Sequence, residues 1–126
     1  MPDFNDSETL QVEADRFKLL GHLVRLQILD ILRRSPECVC HLQAMLHKPQ
    51  PYISQQLRVL REAGIIADTK DGLNVYYHLI DPKTASYLDT AFEPAQTVAG
   101  GEREPVAGCS CPKCHAPEPV EIRLID

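Results

Sequence analysis

The run Pro51-Tyr52-Ile53-Ser54-Gln55-Gln56-Leu57-Arg58-Val59-Leu60-Arg61-Glu62-Ala63-Gly64 reads as one helix with two unlike sides. Ile53, Leu57 and Leu60 recur at spacings of four and three, the interval that gathers side chains on one face of an α-helix. Ser54, Gln55, Arg58 and Arg61 fall opposite. Proline suits the first helical turn, where its missing N–H would go unbonded anyway, and glycine suits the position beyond the last turn because it tolerates positive φ. Groups that hydrogen-bond base edges, beside guanidiniums that pair with phosphate, give the exposed stripe the chemistry of a major-groove reader. Tyr52 and Gln56 flank it, within reach of sugar-phosphate. An ordinary solvated face has a similar composition, so the neighbouring elements must decide.

Upstream, Lys48-Pro49-Gln50-Pro51 makes a tight break. Before it, Ser35-Pro36 signals a helix start, and a short helix over about 38–46 carries Val39, Leu42, Met45 and Leu46 inward. Two short helices around a compact turn form a helix-turn-helix. Downstream of Gly64 the period becomes two. Ile65, Ala67 and Thr69 on one arm and Val75, Tyr77 and Leu79 on the other flank Asp71-Gly72, a dipeptide that favours a tight hairpin. Further out, a helix over 7–20 carries Leu10, Ala14 and Phe17 and stops at Gly21. A second, over 23–34, carries Val24, Ile28, Ile31 and Leu32 on one stripe. The last starts at Asp81-Pro82, with Ala85, Leu88, Ala91 and Phe92 on one face, and ends near Glu93-Pro94.

The expected fold is mainly α with a small β-hairpin (α+β): a winged helix-turn-helix of about five helices and a two-stranded wing. It should be dimeric, because the apolar stripes of the first and last helices exceed what so small a core can cover. Residues 1–93 form the DNA-binding and dimerisation domain in this reading, and 94–126 a Pro/Gly-rich, cysteine-bearing tail whose order depends on what its cysteines bind.

The chain's formal charge of −5 is unevenly spread over its 126 residues. Asp3, Asp6 and Glu8 face no base in residues 1–10, and residues 93–126 hold six acids against Arg103, Lys113 and Arg123. Subtracting these from the 18 acids and 13 bases of the whole leaves nine acids and ten bases for 11–92. The middle can therefore present a basic face to phosphate if its charges segregate.

All five cysteines fall in two windows, Cys38-Val39-Cys40-His41 and Cys109-Ser110-Cys111-Pro112-Lys113-Cys114-His115. Thiolates two or three residues apart can reach one thiophilic ion without long-range folding. The odd count, with no signal peptide and no apolar run long enough to span a bilayer, points to a reducing cytoplasm and to metal or redox chemistry rather than structural disulfides. On a regular helix, residues i and i+2 diverge, so Cys38 and Cys40 can grip one ion only at a helix start. They also suit small buried apolar positions. Either the tail folds back so that Cys109, Cys111 and Cys114 complete the Cys38/Cys40 site, the arrangement we favour because neither cluster alone reaches four sulfurs, or the tail forms a site of its own. His22, His47 and His78 read as surface or capping residues, whereas His41 follows Cys40 and could serve zinc.

Leu20-Gly21-His22-Leu23-Val24-Arg25-Leu26-Gln27-Ile28-Leu29, Glu37-Cys38-Val39-Cys40-His41-Leu42, residues 54–64 and Val75-Tyr76-Tyr77-His78-Leu79 together resemble the ArsR/SmtB family of metal-responsive winged-helix repressors. The resemblance covers about 7–92. It implies a homodimer joined through its first and last helices, bound to double-stranded operator DNA at an inverted repeat through Lys48, Tyr52, Ser54, Gln55, Arg58, Arg61 and the wing's Lys70. Release would follow the binding of arsenite or antimonite, or of cadmium, lead or zinc, at Cys38, Cys40, Cys109, Cys111 and Cys114. The sequence departs from the family pattern in several places. Leu23 stands where proline is usual, Gln43 where arsenic sensors carry a third cysteine, and 81–92 lacks the histidine of the family's zinc site. The N-terminal segment lacks the cysteines of the cadmium and lead branch. A thiol-redox repressor using a Cys111/Cys114 disulfide is the alternative. An enzyme is disfavoured, since the CxxC lacks a βαβ context and neither paired carboxylates nor a Gly-rich phosphate loop occurs. No membrane partner is expected.

Overall fold

Ile28, Ile53 and Leu60 have no exposed surface at all, and the elements arrange themselves around them. The computed structural model describes residues 7–92. In chain order these are α1 (Ser7–Leu20), α2 (Leu23–Leu32), α3 (Val39–Leu46), α4 (Gln50–Glu62), β1 (Ile66–Asp71), β2 (Asn74–Leu79) and α5 (Pro82–Ala91). The result is the expected winged helix-turn-helix. Val24, Ile28, Leu29 and Leu32 of α2, Leu42 of α3, Ile53, Leu57 and Leu60 of α4, Ile65 and Ile66 at the root of the wing, and Leu88 of α5 form one buried cluster. Among the described residues, no helix is long and apolar enough to cross a membrane.

Local chemistry sets the ends of α4. Pro49 is its N-cap and Pro51 lies in the first turn, so Gln50 opens the helix one residue earlier than expected from Pro51. At the other end Gly64 has φ +78°. Its N–H donates to the Arg61 carbonyl at 3.0 Å and the Ile65 N–H to the Leu60 carbonyl at 3.1 Å, the paired bonds of a Schellman motif. The Ile65 carbonyl then accepts from the N–H groups of both Ile80 (2.9 Å) and Asp81 (3.3 Å), clamping the two roots of the hairpin together.

Several expectations are corrected. α2 ends at Leu32, because the Arg34 N–H turns back to Ile31 in a tightened last turn. Ser35-Pro36 does not cap α3. Glu37 instead forms an antiparallel bridge with Tyr77, donating to its carbonyl (3.0 Å) and accepting from its N–H (2.8 Å), and Cys38 becomes the N-cap. Along α3, Leu42 and His41 are buried whereas Met45 is exposed. In the wing, Asp71 pairs with Asn74, which leaves Gly72-Leu73 rather than Asp71-Gly72 as the loop. Only Gly72 of that loop has positive φ (+68°), the pattern of a glycine-first hairpin turn. Ile65 and Ile66 are both buried at the hairpin root, so the expected alternation fails there. On α5 the inward positions are Thr84 and Leu88, while Ala91 and Phe92 are exposed.

α1 is held differently from the rest. Of its fourteen residues only Leu20 is buried. Leu10 and Phe17 remain 55% and 53% exposed. Glu13 anchors the helix to α5: its carboxylate accepts hydrogen bonds from Arg16 (2.6 and 2.7 Å), Lys83 Nζ (2.7 Å) and the Tyr87 hydroxyl (2.9 Å). Phe17 stacks on Tyr87 with centroids 5.3 Å apart. These donors, Arg16 foremost, then Lys83 and Tyr87, hold the Glu13 carboxyl from its ordinary 4.5 down to about 2. A depressed carboxylate stabilises the fold fully above its unfolded value and loses that contribution as pH falls towards its folded one. The attachment of α1 to α5 should therefore weaken between pH 4.5 and about 2. In far-UV circular dichroism with denaturant, Glu13→Gln should be less stable at neutral pH and show a shallower loss across that window; parallel curves for the two proteins would refute the assignment.

Candidate nucleic-acid interface and thiol site

With Ile53, Leu57 and Leu60 buried, α4 has one orientation, and its far side bears Ser54, Gln55, Arg58 and Arg61, all exposed. Lys48 is exposed in the turn that leads into the helix. That turn begins at His47, whose left-handed backbone (φ 54°, ψ 45°) ends α3. Tyr52 is half-buried and packs against the core, leaving only part of its ring at the surface. Lys70 is exposed on β1, beyond Asp68 on the same side of the strand because side chains alternate along it. The side chains expected to meet DNA on α4, in the turn before it and on the wing are thus exposed, Tyr52 only in part. Among the described residues, Lys48, Arg58 and Lys70 form no ion pair, while Arg61 Nη1 lies 3.7 Å from Asp68 Oδ1 of the wing.

Gln56 does not belong to that surface. It is 6% exposed, and its Oε1 accepts from Arg25 Nε at 2.8 Å. Arg25 also donates to the Leu19 carbonyl at 3.3 Å, so one guanidinium ties the α1–α2 corner to the recognition helix. The spacing 53, 56, 57, 60 is the trace of this in the sequence, since position 56 falls on the apolar side. The Asp68 contact left no such trace.

The thiol site lies at the opposite end of α3. Cys38 is buried in extended backbone (φ −90°, ψ 167°) as the N-cap, and Cys40 is half-buried at the second helical position. The pair therefore straddles a helix start. His41 is buried with Nε2 3.9 Å from Glu37 Oε2. His22 caps α2, its Nδ1 accepting from the Arg25 N–H at 3.4 Å. Among the described residues, no three cysteine, histidine or carboxylate groups gather into a metal cage. Cys109, Cys111 and Cys114 lie outside the described residues.

A recognition helix seated on a core, a turn leading into it and a two-stranded wing beside it define a DNA-binding transcriptional regulator rather than an enzyme. Residues 24–68 match the description "Bacterial regulatory protein, arsR family". The chain belongs to that family. It is 38% identical over 82 residues to an uncharacterised HTH-type transcriptional regulator of Methanocaldococcus jannaschii, covering 64% of this chain and 92% of that one. With the arsenical resistance operon repressor of Escherichia coli it shares 39% over 84 residues, 64% of this chain and 72% of the relative. Of some other relatives it spans little more than half, 55% in the case of a repressor of Mycobacterium tuberculosis. Among solved structures, the transcriptional repressor BigR from Xylella fastidiosa superposes with a TM-score of 0.62 at 32% identity, over 70% of this chain and 88% of that one.

Truncating Arg58 should weaken binding to operator DNA by about 1–3 kcal/mol and make its salt dependence shallower, leaving the circular dichroism spectrum unchanged. Fluorescence anisotropy on labelled duplex measures this, and an Arg58→Ala protein that binds like its parent would mean that another face meets DNA.

Proposed function

We propose that this protein is a metal- or metalloid-sensing repressor that binds inverted-repeat operator DNA as a homodimer and leaves it when a thiophilic ion binds its cysteines. The observation that carries this reading is the position of Cys38. On one side its chain neighbour Glu37 is hydrogen-bonded in both directions to Tyr77 of the wing, and on the other side Cys38 begins α3, which packs against α4. An ion bound by Cys38 and Cys40 acts on the first turn of α3, and a shift there is passed to both DNA-facing elements at once.

Two sulfurs are fewer than thiophilic ions usually take, and Cys109, Cys111 and Cys114 of the 94–126 tail supply three more. The ion in this reading is arsenite or antimonite, or cadmium, lead or zinc, and the E. coli relative's name as an arsenical resistance operon repressor supports arsenite. Residues 1–93 act as the DNA-binding and dimerising unit, working in the cytoplasm.

The outward stripe of α1, with Leu10, Ala14 and Phe17 exposed, supports the homodimer. Its two recognition helices would lie about 34 Å apart, one turn of DNA. Sedimentation at micromolar concentration should give the mass of a dimer; a monomer throughout would remove this part of the reading.

For the switch, Cys38→Ser and Cys40→Ser should bind DNA as the parent does but no longer release it on addition of arsenite or cadmium. A chain truncated after Gly108 should share that defect, and combining truncation with Cys38→Ser should add nothing, because both lesions break one coordination sphere. Undiminished release by the truncated chain would assign sensing to Cys38 and Cys40 without the tail.

A further inference from the structure

Of the four cations on the DNA-facing surface, Arg61 differs from the others. Lys48, Arg58 and Lys70 form no ion pair among the described residues, whereas the Arg61 guanidinium is 3.7 Å from the Asp68 carboxylate. The two side chains project from different elements, α4 and β1, and remain open to solvent, with side-chain exposures of 45% and 34%. The Asp68 backbone is fixed in turn: it pairs across the hairpin with Tyr77, the residue that bridges to Glu37 beside Cys38. The carboxylate is therefore held at the junction of recognition helix and wing, where a DNA backbone would pass. A negative charge there repels phosphate, and its partner is a guanidinium that phosphate would otherwise take.

We propose that Asp68 is a specificity-determining residue of the DNA interface, one that holds Arg61 on the wing so that a phosphate reaches this guanidinium only by displacing a carboxylate. The proposal rests on the DNA-facing assignment of α4. Its physical effect is asymmetric. Random DNA is bound almost wholly through phosphate charge, so withholding one guanidinium weakens that binding in proportion. A cognate site also offers base-edge contacts to Ser54, Gln55 and Arg58, which do not pass through Asp68 and so preserve its affinity. Exposed ion pairs of this kind are weak, so Arg61 is restrained rather than locked, and the exchange from carboxylate to phosphate stays accessible.

The test uses the full-length dimer and two labelled duplexes of equal length, one selected by the parent protein from a random pool and one of unselected sequence. Asp68→Asn keeps the shape and removes the charge. It should tighten binding to unselected DNA about two- to fivefold near physiological salt and steepen the salt slope by about one, with a smaller gain on selected DNA, so that the specificity ratio falls. In an Arg61→Ala background the substitution should lose most of this effect. Asp71→Asn, at an exposed wing carboxylate that forms no ion pair among the described residues, controls for charge alone and should act equally in both backgrounds. The proposal is overturned if Asp68→Asn leaves unselected binding unchanged or weakens it, or if its full effect survives removal of Arg61. If Arg58→Ala and Arg61→Ala also bind both duplexes like the parent, the DNA-facing assignment has failed; if they bind poorly and Asp68→Asn does nothing, only the role of Asp68 has.

Discussion

The buried side of α4 is the constraint on which the rest depends. Ile53 and Leu60 are fully buried and Leu57 almost so, against α2 and α3. Burying each such side chain is worth about 1.5–3 kcal/mol, a large share of a typical domain's net stability of about 5–15 kcal/mol. Turning the helix by one residue, about 100°, would bring these groups into water. Its polar side is therefore set by what lies beneath it, and the exposed order of serine, glutamine and arginines follows from apolar packing rather than from any contact of their own. Gln56 is the polar exception on the inner side, and Arg25 satisfies it.

Features governed by neighbours in sequence were legible. The extent of α4 to within a residue at each end, the positive φ of Gly64 and the proline-rich helix start depend on a handful of adjacent residues, so periodicity and turn chemistry located them. What escaped depends on partners far along the chain. Ser35-Pro36 is a reasonable cap signal, yet Glu37 is claimed by Tyr77, forty residues on, and the helix starts later. Ile65 breaks the strand alternation because it completes the helix terminus instead of joining the strand. Met45 and His41 exchange roles on α3, since a short helix between two others is buried by whichever face they meet, and hydrophobicity alone does not say which.

The candidate site divides in the same way. That Ser54, Gln55, Arg58 and Arg61 share an exposed stripe of α4 and that two cysteines flank a helix start could be read from spacing. The bridge that ties Glu37, beside Cys38, to Tyr77 of the wing could not, because it is a pairing of backbones and leaves no side-chain pattern. α1 is a further case. Its stripe was visible, but the polar bonds of Glu13 to Lys83 and Tyr87 that seat it on α5 join residues some seventy positions apart.

The clamp at the root of the wing gives the hairpin mechanical leverage. The Schellman turn at Gly64 joins it to α4 without slack, and the doubly engaged Ile65 carbonyl prevents its two strands from splaying at the base. A strand of six residues reaches about 20 Å at the usual rise, so a tilt of about a tenth of a radian at the base sweeps Leu73 at the tip through about 2 Å. That is enough to carry a donor out of hydrogen-bonding range. Small rotations of α4, too slight to disturb its packing, are thus magnified at the far end of the wing.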